Sequence, residues 1–283
     1  MEDSEQMQVN GIRLGVERRG AGSGPGTPGI VVMLHGFTGS AAGWGQHLNH
    51  LAARGLHVIA LDLPGHGRSD APADPLRYGF EYCRQDILAV LQQSGVRKGE
   101  AILLGYSLGG RIALYTALSG FFRALILESA SPGLADAAER EQRRNSDEAL
   151  AASIERDGVQ AFVDRWEKLP LFASQVGLPA EVRAALRSQR LQNRAEGLAN
   201  SLRGAGTGVQ PPLHAHLPTL NIPVLLIAGE LDTKFTAIAR SMAQALPQVR
   251  LCLVPGAGHA VHLERPEEFD SLVADFSLTE FSS

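Results

Sequence analysis

Residues 105–109 read Gly-Tyr-Ser-Leu-Gly, a spacing that could present a serine for nucleophilic or base chemistry. The motif follows a continuous apolar run and precedes a helical pattern that begins at Leu108. Glycines two residues before and after Ser107 fit a sharp strand-to-helix turn, where neighbouring backbones leave no room for Cβ atoms. Because such a turn lifts the hydroxyl above a sheet, we expect Ser107 to be catalytic.

A serine hydroxyl is a weak acid, so it needs a neighbouring base, and a carboxylate must orient that base. His259 follows the last apolar run of the chain and is the expected base. Glu230 and Asp232 both follow the preceding run and compete for the orienting role. Serine, acid and histidine in this chain order, each after a different strand, predict a catalytic triad.

A His-Gly pair at residues 35–36 directly follows the first buried run. Alone, this pair indicates an ordinary glycine turn. With a serine turn downstream, it favours a loop whose Phe37 backbone amide stabilises a developing oxyanion. The Leu108 amide, at the start of the helix after Ser107, is the expected second donor. The sequence therefore predicts an oxyanion hole at Phe37 and Leu108.

The elements that must position these residues are apolar runs alternating with helical patterns. The runs lack polar alternation, as expected of strands buried on both faces. They lie at 30–34, 57–61, 101–104, 124–127, 223–227 and 249–254, and the helical patterns at 79–93, 108–118, 236–246 and 266–276. This rhythm predicts an α/β fold with a mostly parallel central sheet and helices on both faces. An Asn-Gly turn signal at residues 10–11 adds an opening hairpin.

The alternation stops between residues 132 and 218, where only helical patterns occur. They lie at 137–156, 159–168, 179–190 and 194–202. An all-helical insertion between two β/α units is expected to cap the carboxyl ends of the strands, where open α/β sheets place their sites. We therefore expect a core at 1–131 and 219–283 and a helical cap at 132–218. A Gly-rich connection at 20–29 precedes a strand and has no phosphate-loop ending.

Composition excludes several classes of protein. The 283 residues carry a formal net charge of −4, which argues against a nucleic-acid partner. The two cysteines lack a C-x-x-C spacing and the histidines form no H-E-x-x-H motif, so no metal or cofactor is expected. No leader and no apolar run of about 18 residues is present, which predicts a cytoplasmic protein without membrane insertion. The oligomeric state stays open.

Three features of the sequence resemble the α/β-hydrolase superfamily. They are the strand-turn-helix motif around Ser107, the two loops that carry the acid and the histidine, and the segment at 62–69 (Asp-Leu-Pro-Gly-His-Gly-Arg-Ser). The resemblance covers almost the whole chain and favours Asp232 over Glu230 as the acid. It implies the fold but not the reaction, because this superfamily hosts esterases, C–C hydrolases, dehalogenases and lyases. Serine rather than aspartate at position 107 weighs against a dehalogenase.

A finer pattern resembles the 2-succinyl-6-hydroxy-2,4-cyclohexadiene-1-carboxylate synthases of menaquinone biosynthesis, hereafter the synthase family. The matching segments are 105–111, 131–134, 139–143, 166, 169–174, 186–188 and 229–235. The resemblance implies a lyase that eliminates pyruvate from a small polycarboxylate substrate by proton abstraction at the Ser107, Asp232 and His259 triad. It implies that Arg111, Arg143 and Arg187 bind carboxylates and that Tyr106 and Trp166 line the pocket.

Other interpretations compete with this one. Each arginine has close neighbours with which it could form an ordinary ion pair on a solvated helix face. The same triad would also serve a serine hydrolase acting on esters or C–C bonds of carboxylated substrates, in which Ser107 attacks a carbonyl. Arginines that converge on the pocket favour the lyase, whereas arginines that face solvent favour the hydrolase.

Overall fold

The structure, a computed structural model, describes residues 2–20 and 29–282. Of the predicted Gly-rich connection, residues 21–28 lie outside the described residues. In the described ranges the strands form one eight-stranded sheet. The strands are β1 (Glu2–Val9), β2 (Ile12–Arg19), β3 (Ile30–Leu34), β4 (His57–Leu61), β5 (Ala101–Tyr106), β6 (Ala124–Glu128), β7 (Val224–Gly229) and β8 (Val249–Val254).

Helices connect these strands. The α-helices of the described ranges are α1 (Gln46–Ala53), α2 (Phe80–Gln93), α3 (Leu108–Ala117), α4 (Ala137–Trp166), α5 (Ala180–Leu191), α6 (Ala195–Ala205), α7 (Thr233–Ala245), α8 (Val261–Glu264) and α9 (Pro266–Ser282). Short 3-10 helices lie at Ala41–Trp44, Pro75–Tyr78, Pro170–Gly177 and His214–Thr219. The α/β class predicted from the alternating patterns is confirmed.

The opening hairpin turns at Asn10 and Gly11, whose φ angles are 43° and 85°. Positive φ at both central residues is the geometry that an Asn-Gly pair favours, and Val9 pairs with Ile12 across the turn. β2 also runs antiparallel to β4, whereas β3 to β8 all run parallel to one another. The sheet order is β1-β2-β4-β3-β5-β6-β7-β8.

Two apolar layers cover the sheet because successive side chains of a strand point to opposite faces. In β3, Val32 and Leu34 pack with α2, α3 and α7 on one face. Val31 and Met33 pack with α1, α8 and α9 on the other face. Strands β3 to β7 are buried at every position except Tyr106, the last residue of β5, which explains why their sequences are apolar without alternation.

Helices α4, α5 and α6 lie between β6 and β7, with no strand among them. Gly158, with a φ of 81°, interrupts α4 where the sequence predicts a break between two helices. The helices bury a small core of their own around Ile154, Phe162 and Leu198, and Phe37, in the loop after β3, packs against it. The placement fits a cap over the strand ends; the division at residues 132 and 218 stays a prediction.

Candidate active site

Ser107 occupies a strained turn between β5 and α3. Its φ of 51° and ψ of −108° are unusual for a residue with a Cβ atom. A Cβ at Gly105 would lie 2.5 Å from the carbonyl carbon of Gly109, and a Cβ at Gly109 would lie 2.5 Å from the His35 carbonyl oxygen. The glycines therefore allow the strand, the turn and the helix to approach closely, as the motif predicts.

We expect Gly109→Ala to lower the free energy of unfolding by about 1–3 kcal/mol, because backbone atoms of β3 and the following loop leave no space for a methyl group. Ser107 should also shift, so activity should fall more than the folded fraction does. Gly177→Ala is the matched control: nothing lies within 4 Å of its Cβ position, and we expect a change below about 0.5 kcal/mol. Thermal melts of both variants test this, and equal stability would contradict the packing argument.

Ser107, His259 and Asp232 form a hydrogen-bonded chain. The distance from His259 Nε2 to Ser107 Oγ is 3.0 Å, and that from His259 Nδ1 to Asp232 Oδ2 is 2.7 Å. The Asp232 carboxylate is an acceptor, so His259 donates its Nδ1–H and keeps Nε2 free to accept the serine proton. Asp232 Oδ1 also accepts from the Phe235 backbone N–H at the start of α7. Glu230, the rival acid, is exposed at this loop.

Aromatic rings enclose the imidazole of His259, which is only 1% exposed. Phe235 packs against it edge-on with ring centroids 4.6 Å apart, and Tyr106 and Phe172 lie at 5.5 and 6.2 Å. The sequence did not single out Phe172 or Phe235 individually. Both lie in segments that resemble the synthase family, so the signal was present there, but an aromatic residue in a pattern usually reads as core.

The backbone N–H groups of Phe37 and Leu108 are available as oxyanion donors. Neither N–H donates to an acceptor in residues 2–20 and 29–282. A Cβ at Gly36 would lie 3.5 Å from Ser107 Cβ, so the loop that contains Phe37 runs beside Ser107. Leu108 is the first residue of α3, where N–H groups lack intrahelical acceptors. The arrangement can stabilise negative charge next to Ser107 Oγ.

His35 holds the peptide between Gly36 and Phe37 in place. Its Nε2 accepts from Leu63 N–H at 3.0 Å, and its Nδ1 donates to the Gly36 carbonyl oxygen at 2.7 Å. Burial lowers the pKa of His35 to about 4, so the ring stays neutral and keeps both roles. Since the C=O and N–H of a trans peptide point in opposite directions, fixing the Gly36 carbonyl fixes the direction of the Phe37 N–H.

A cavity of about 720 Å³ opens above Ser107, between the sheet and the helices α4 and α6. Its lining includes the three triad residues and four of the predicted binding residues, Tyr106, Arg111, Arg143 and Trp166. Burial raises the pKa of Tyr106 well above its ordinary value of 10, so its phenol stays protonated. The cavity is also lined by Ser131, Leu134 and Lys234.

Arg111 is a partly buried cation that forms no ion pair with a carboxylate in the described part of the chain. Its guanidinium donates to the Ala205 carbonyl oxygen at 2.9 Å. Burial, together with the nearby positive charge of Arg143, lowers the pKa of Arg111 to about 10, and the negative charge of Asp147 opposes this shift. Two guanidinium groups so close together in a partly buried place are costly, and an anionic ligand would offset the cost.

Arg143 is the second cation of the cavity, and Asp147 orients it. Arg143 Nε donates to Asp147 Oδ1 at 2.8 Å along the same helix, four residues apart. Asp147 is 5% exposed, and its second oxygen has no donor among the described residues. The spacing of four residues was visible in the sequence, but it did not show that Asp147 is buried beside a cavity.

The structure does not bring Arg187 into the cavity. Its guanidinium lies 2.5 Å from Asp164 and 2.7 Å from Glu167, both near the end of α4. These carboxylates satisfy the charge, so the competing surface ion-pair interpretation describes this residue better. Arg190, one turn later, is instead buried and lies over the Phe172 ring at 5.3 Å.

No group of three histidine, cysteine, aspartate or glutamate side chains in the described ranges could hold a metal ion. None of the helices described is long and apolar enough to cross a bilayer.

The cavity offers a triad, two backbone donors and two guanidinium groups, which suits proton transfer on an anionic substrate.

Comparison with known proteins extends this description. A sequence profile of the alpha/beta hydrolase fold matches residues 29–266. A Bacillus subtilis protein provisionally named 2-succinyl-6-hydroxy-2,4-cyclohexadiene-1-carboxylate synthase is 43% identical, over 94% of this chain and 95% of its own. The chain belongs to the synthase family of α/β hydrolases.

Two further synthase family members are similar. The Serratia proteamaculans synthase is 36% identical over 87% of this chain and 92% of its own length. The solved structure of MenH from S. aureus superposes with a TM-score of 0.88 and 37% identity, covering 94% of this chain and 98% of that one. The resemblance that the sequence motifs indicated is thus confirmed.

Proposed function

We propose that this enzyme is a lyase of menaquinone biosynthesis. It eliminates pyruvate from 2-succinyl-5-enolpyruvyl-6-hydroxy-3-cyclohexene-1-carboxylate and gives 2-succinyl-6-hydroxy-2,4-cyclohexadiene-1-carboxylate. The names of the relatives support the product. The observation that carries the proposal is Arg111, a partly buried guanidinium that has no carboxylate ion pair and shares a cavity with the triad. A substrate with several carboxylates supplies the missing anion.

In the proposed reaction, His259 Nε2 takes the hydroxyl proton of Ser107, and Asp232 stabilises the imidazolium that forms. The serine oxygen removes the proton from the ring carbon that bears the succinyl group. That proton is acidic because the succinyl ketone stabilises the resulting carbanion as an enolate. The electron pair then moves through the ring double bond and breaks the bond to the enolpyruvyl oxygen, so pyruvate leaves as its enolate. The ring proton stays on the Ser107 oxygen, and the proton on His259 passes to the enolate, which gives pyruvate and restores both side chains.

Negative charge collects on the succinyl ketone oxygen during this step. We place that oxygen between the Phe37 and Leu108 N–H groups, which are fixed before the substrate arrives. Arg111 and Arg143 hold substrate carboxylates on the cap side of the cavity. Ser107 forms no bond to carbon in this account, which is where it differs from an esterase with the same triad. The cytoplasmic location and the absence of a cofactor stay predictions.

The experiment that tests the function generates the unstable substrate in situ and follows two signals together. Pyruvate is measured with a coupled dehydrogenase, and the conjugated diene is measured by its ultraviolet absorbance. We expect one pyruvate for each diene, at a rate proportional to enzyme. Efficient hydrolysis of activated esters with no acceleration of pyruvate release would instead identify a serine hydrolase.

We expect Arg111→Gln to lower kcat/KM for pyruvate elimination by about 100-fold, mainly through KM, because a charge-assisted pair with the substrate is lost. The variant should melt at the same temperature or higher, since it removes a partly buried charge that forms no ion pair with a carboxylate. Arg187→Gln is the matched control and should change KM by less than about threefold, because its partners are Asp164 and Glu167. The reverse order of the two effects would contradict the assignment.

A further inference from the structure

Glu128 connects the turn that holds Ser107 to the loop that holds His259. It is the last residue of β6, is fully buried, and pairs in register with Tyr106 of β5. Its backbone carbonyl oxygen accepts from the Ser107 N–H at 2.9 Å. Its carboxyl group accepts from the His262 backbone N–H at 3.0 Å and from the His262 ring Nδ1 at 2.9 Å.

The histidine loop, residues 255–260, also forms hydrogen bonds that do not involve Glu128. Leu231 N–H donates to the Ala257 carbonyl oxygen at 2.9 Å, which joins the loop to the Asp232 segment. Within the loop, Gly258 N–H donates to the Glu264 carboxylate at 2.7 Å. These bonds fix His259 relative to Asp232, but they do not fix it relative to Ser107.

We propose that Glu128 is a positioning residue that sets the distance between His259 Nε2 and Ser107 Oγ through His262. His262 lies three residues after His259, at the start of α8. The Tyr106 ring lies between the Ser107 turn and the histidine loop, with its centroid 4.6 Å from that of the His262 ring and 5.5 Å from that of the His259 ring. The inference rests on the proposed triad but not on the identity of the substrate.

Glu128→Gln replaces one of the two carboxylate acceptors with an N–H₂ donor and removes the charge, so it weakens the link to His262. The weaker link leaves the contact between His259 and Asp232 intact and loosens the contact with Ser107. We expect Glu128→Gln to lower kcat by about 10- to 100-fold, which is the effect of an error of about 1 Å in a reacting group. KM should change by less than about twofold, since Glu128 does not line the cavity that holds the arginines.

The matched control is Asp270→Asn. Asp270 is another buried carboxylate that accepts from histidines, at 2.6 Å from His47 and 2.7 Å from His50, but neither histidine belongs to the triad loops. The two variants should lose similar thermal stability, and only Glu128→Gln should lose kcat. Equal losses of kcat would overturn the proposal, because the effect would then follow stability alone.

The experiment also measures labelling of Ser107 by an alkyl fluorophosphonate, which reports on the serine and histidine whatever the natural substrate is. We expect the labelling rate of Glu128→Gln to fall by the same factor as kcat. The low-field proton resonance of His259 Nδ1–H should persist in Glu128→Gln and disappear in Asp232→Asn. If Glu128→Gln does not fold, His262→Gln removes the ring contact alone and should give a smaller loss in both rates.

Unchanged labelling in a folded Glu128→Gln or His262→Gln variant overturns the proposed link. An enzyme that is labelled normally but releases no pyruvate contradicts the proposed lyase function and leaves the link intact. The two proposals therefore fail by different results.

Discussion

Ser107→Ala is expected to lower kcat for pyruvate elimination by about 10⁴-fold while the protein stays folded. In the proposed mechanism the hydroxyl oxygen removes the substrate proton, and His259 Nε2 lies 3.0 Å from that oxygen. The oxyanion donors and the arginines are untouched, so the residual rate reflects binding and electrostatics alone. Pyruvate release measured at saturating substrate with both enzymes gives this ratio.

The control for Ser107→Ala is binding of the diene product, measured by calorimetry. Because Arg111 and Arg143 remain in place, we expect the Kd to change by less than about threefold. A variant that binds product normally but turns over within about tenfold of the unmodified enzyme would show that Ser107 is not the base.

Asp232→Asn is expected to lower kcat by about 10⁴-fold, the second of the two largest effects. The carboxylate fixes the histidine tautomer by accepting Nδ1–H at 2.7 Å. An asparagine can donate to Nδ1, which moves the proton to Nε2 and leaves no acceptor for the serine hydroxyl. Stability should change by less than about 1 kcal/mol, because asparagine also caps the α7 N-terminus well.

Glu230→Gln provides the matched comparison, since it removes a carboxylate two residues earlier in the same loop. Its side chain is exposed, so kcat should stay within about twofold of the starting value. Steady-state kinetics of both variants decide between the two carboxylates. If Glu230→Gln is the impaired variant, the assignment of the acid is wrong.

The backbone of the site could be predicted from sequence because local rules define it. Gly105 is required by close contact with Gly109 and Gly110 within one strand-turn-helix unit, whereas Gly109 is required by the backbone of β3 and the loop that follows it. The apolar runs are uniform because both faces of the sheet are covered. The Asn10-Gly11 turn follows from the positive φ angles that both residues adopt.

The parts that could not be predicted depend on contacts between segments far apart in sequence. Arg187 looked equivalent to Arg111 and Arg143, but Asp164 and Glu167 reach it from another helix, 23 and 20 residues away. The contact between Glu128 and His262 spans 134 residues. No local pattern marks such a pair, because either residue alone indicates only a polar group at the end of an element.

Choosing between Glu230 and Asp232 shows the same limit at short range. Both follow β7 within three residues, and spacing alone favours neither. The backbone turn decides: the Asp232 N–H donates to the Gly229 carbonyl oxygen at 3.0 Å, and the Asp232 side chain meets both the α7 N-terminus and His259.

The central claim is that this triad removes a proton and forms no covalent intermediate. A rapid-quench single turnover with enzyme in excess tests it most directly, with pyruvate, diene and the intact protein mass measured in each quenched sample. We predict equal yields of pyruvate and diene and an unchanged protein mass at every time point. A mass increase on Ser107 that appears and decays as substrate is consumed, without diene, would contradict the account and identify an acyl-transfer hydrolase.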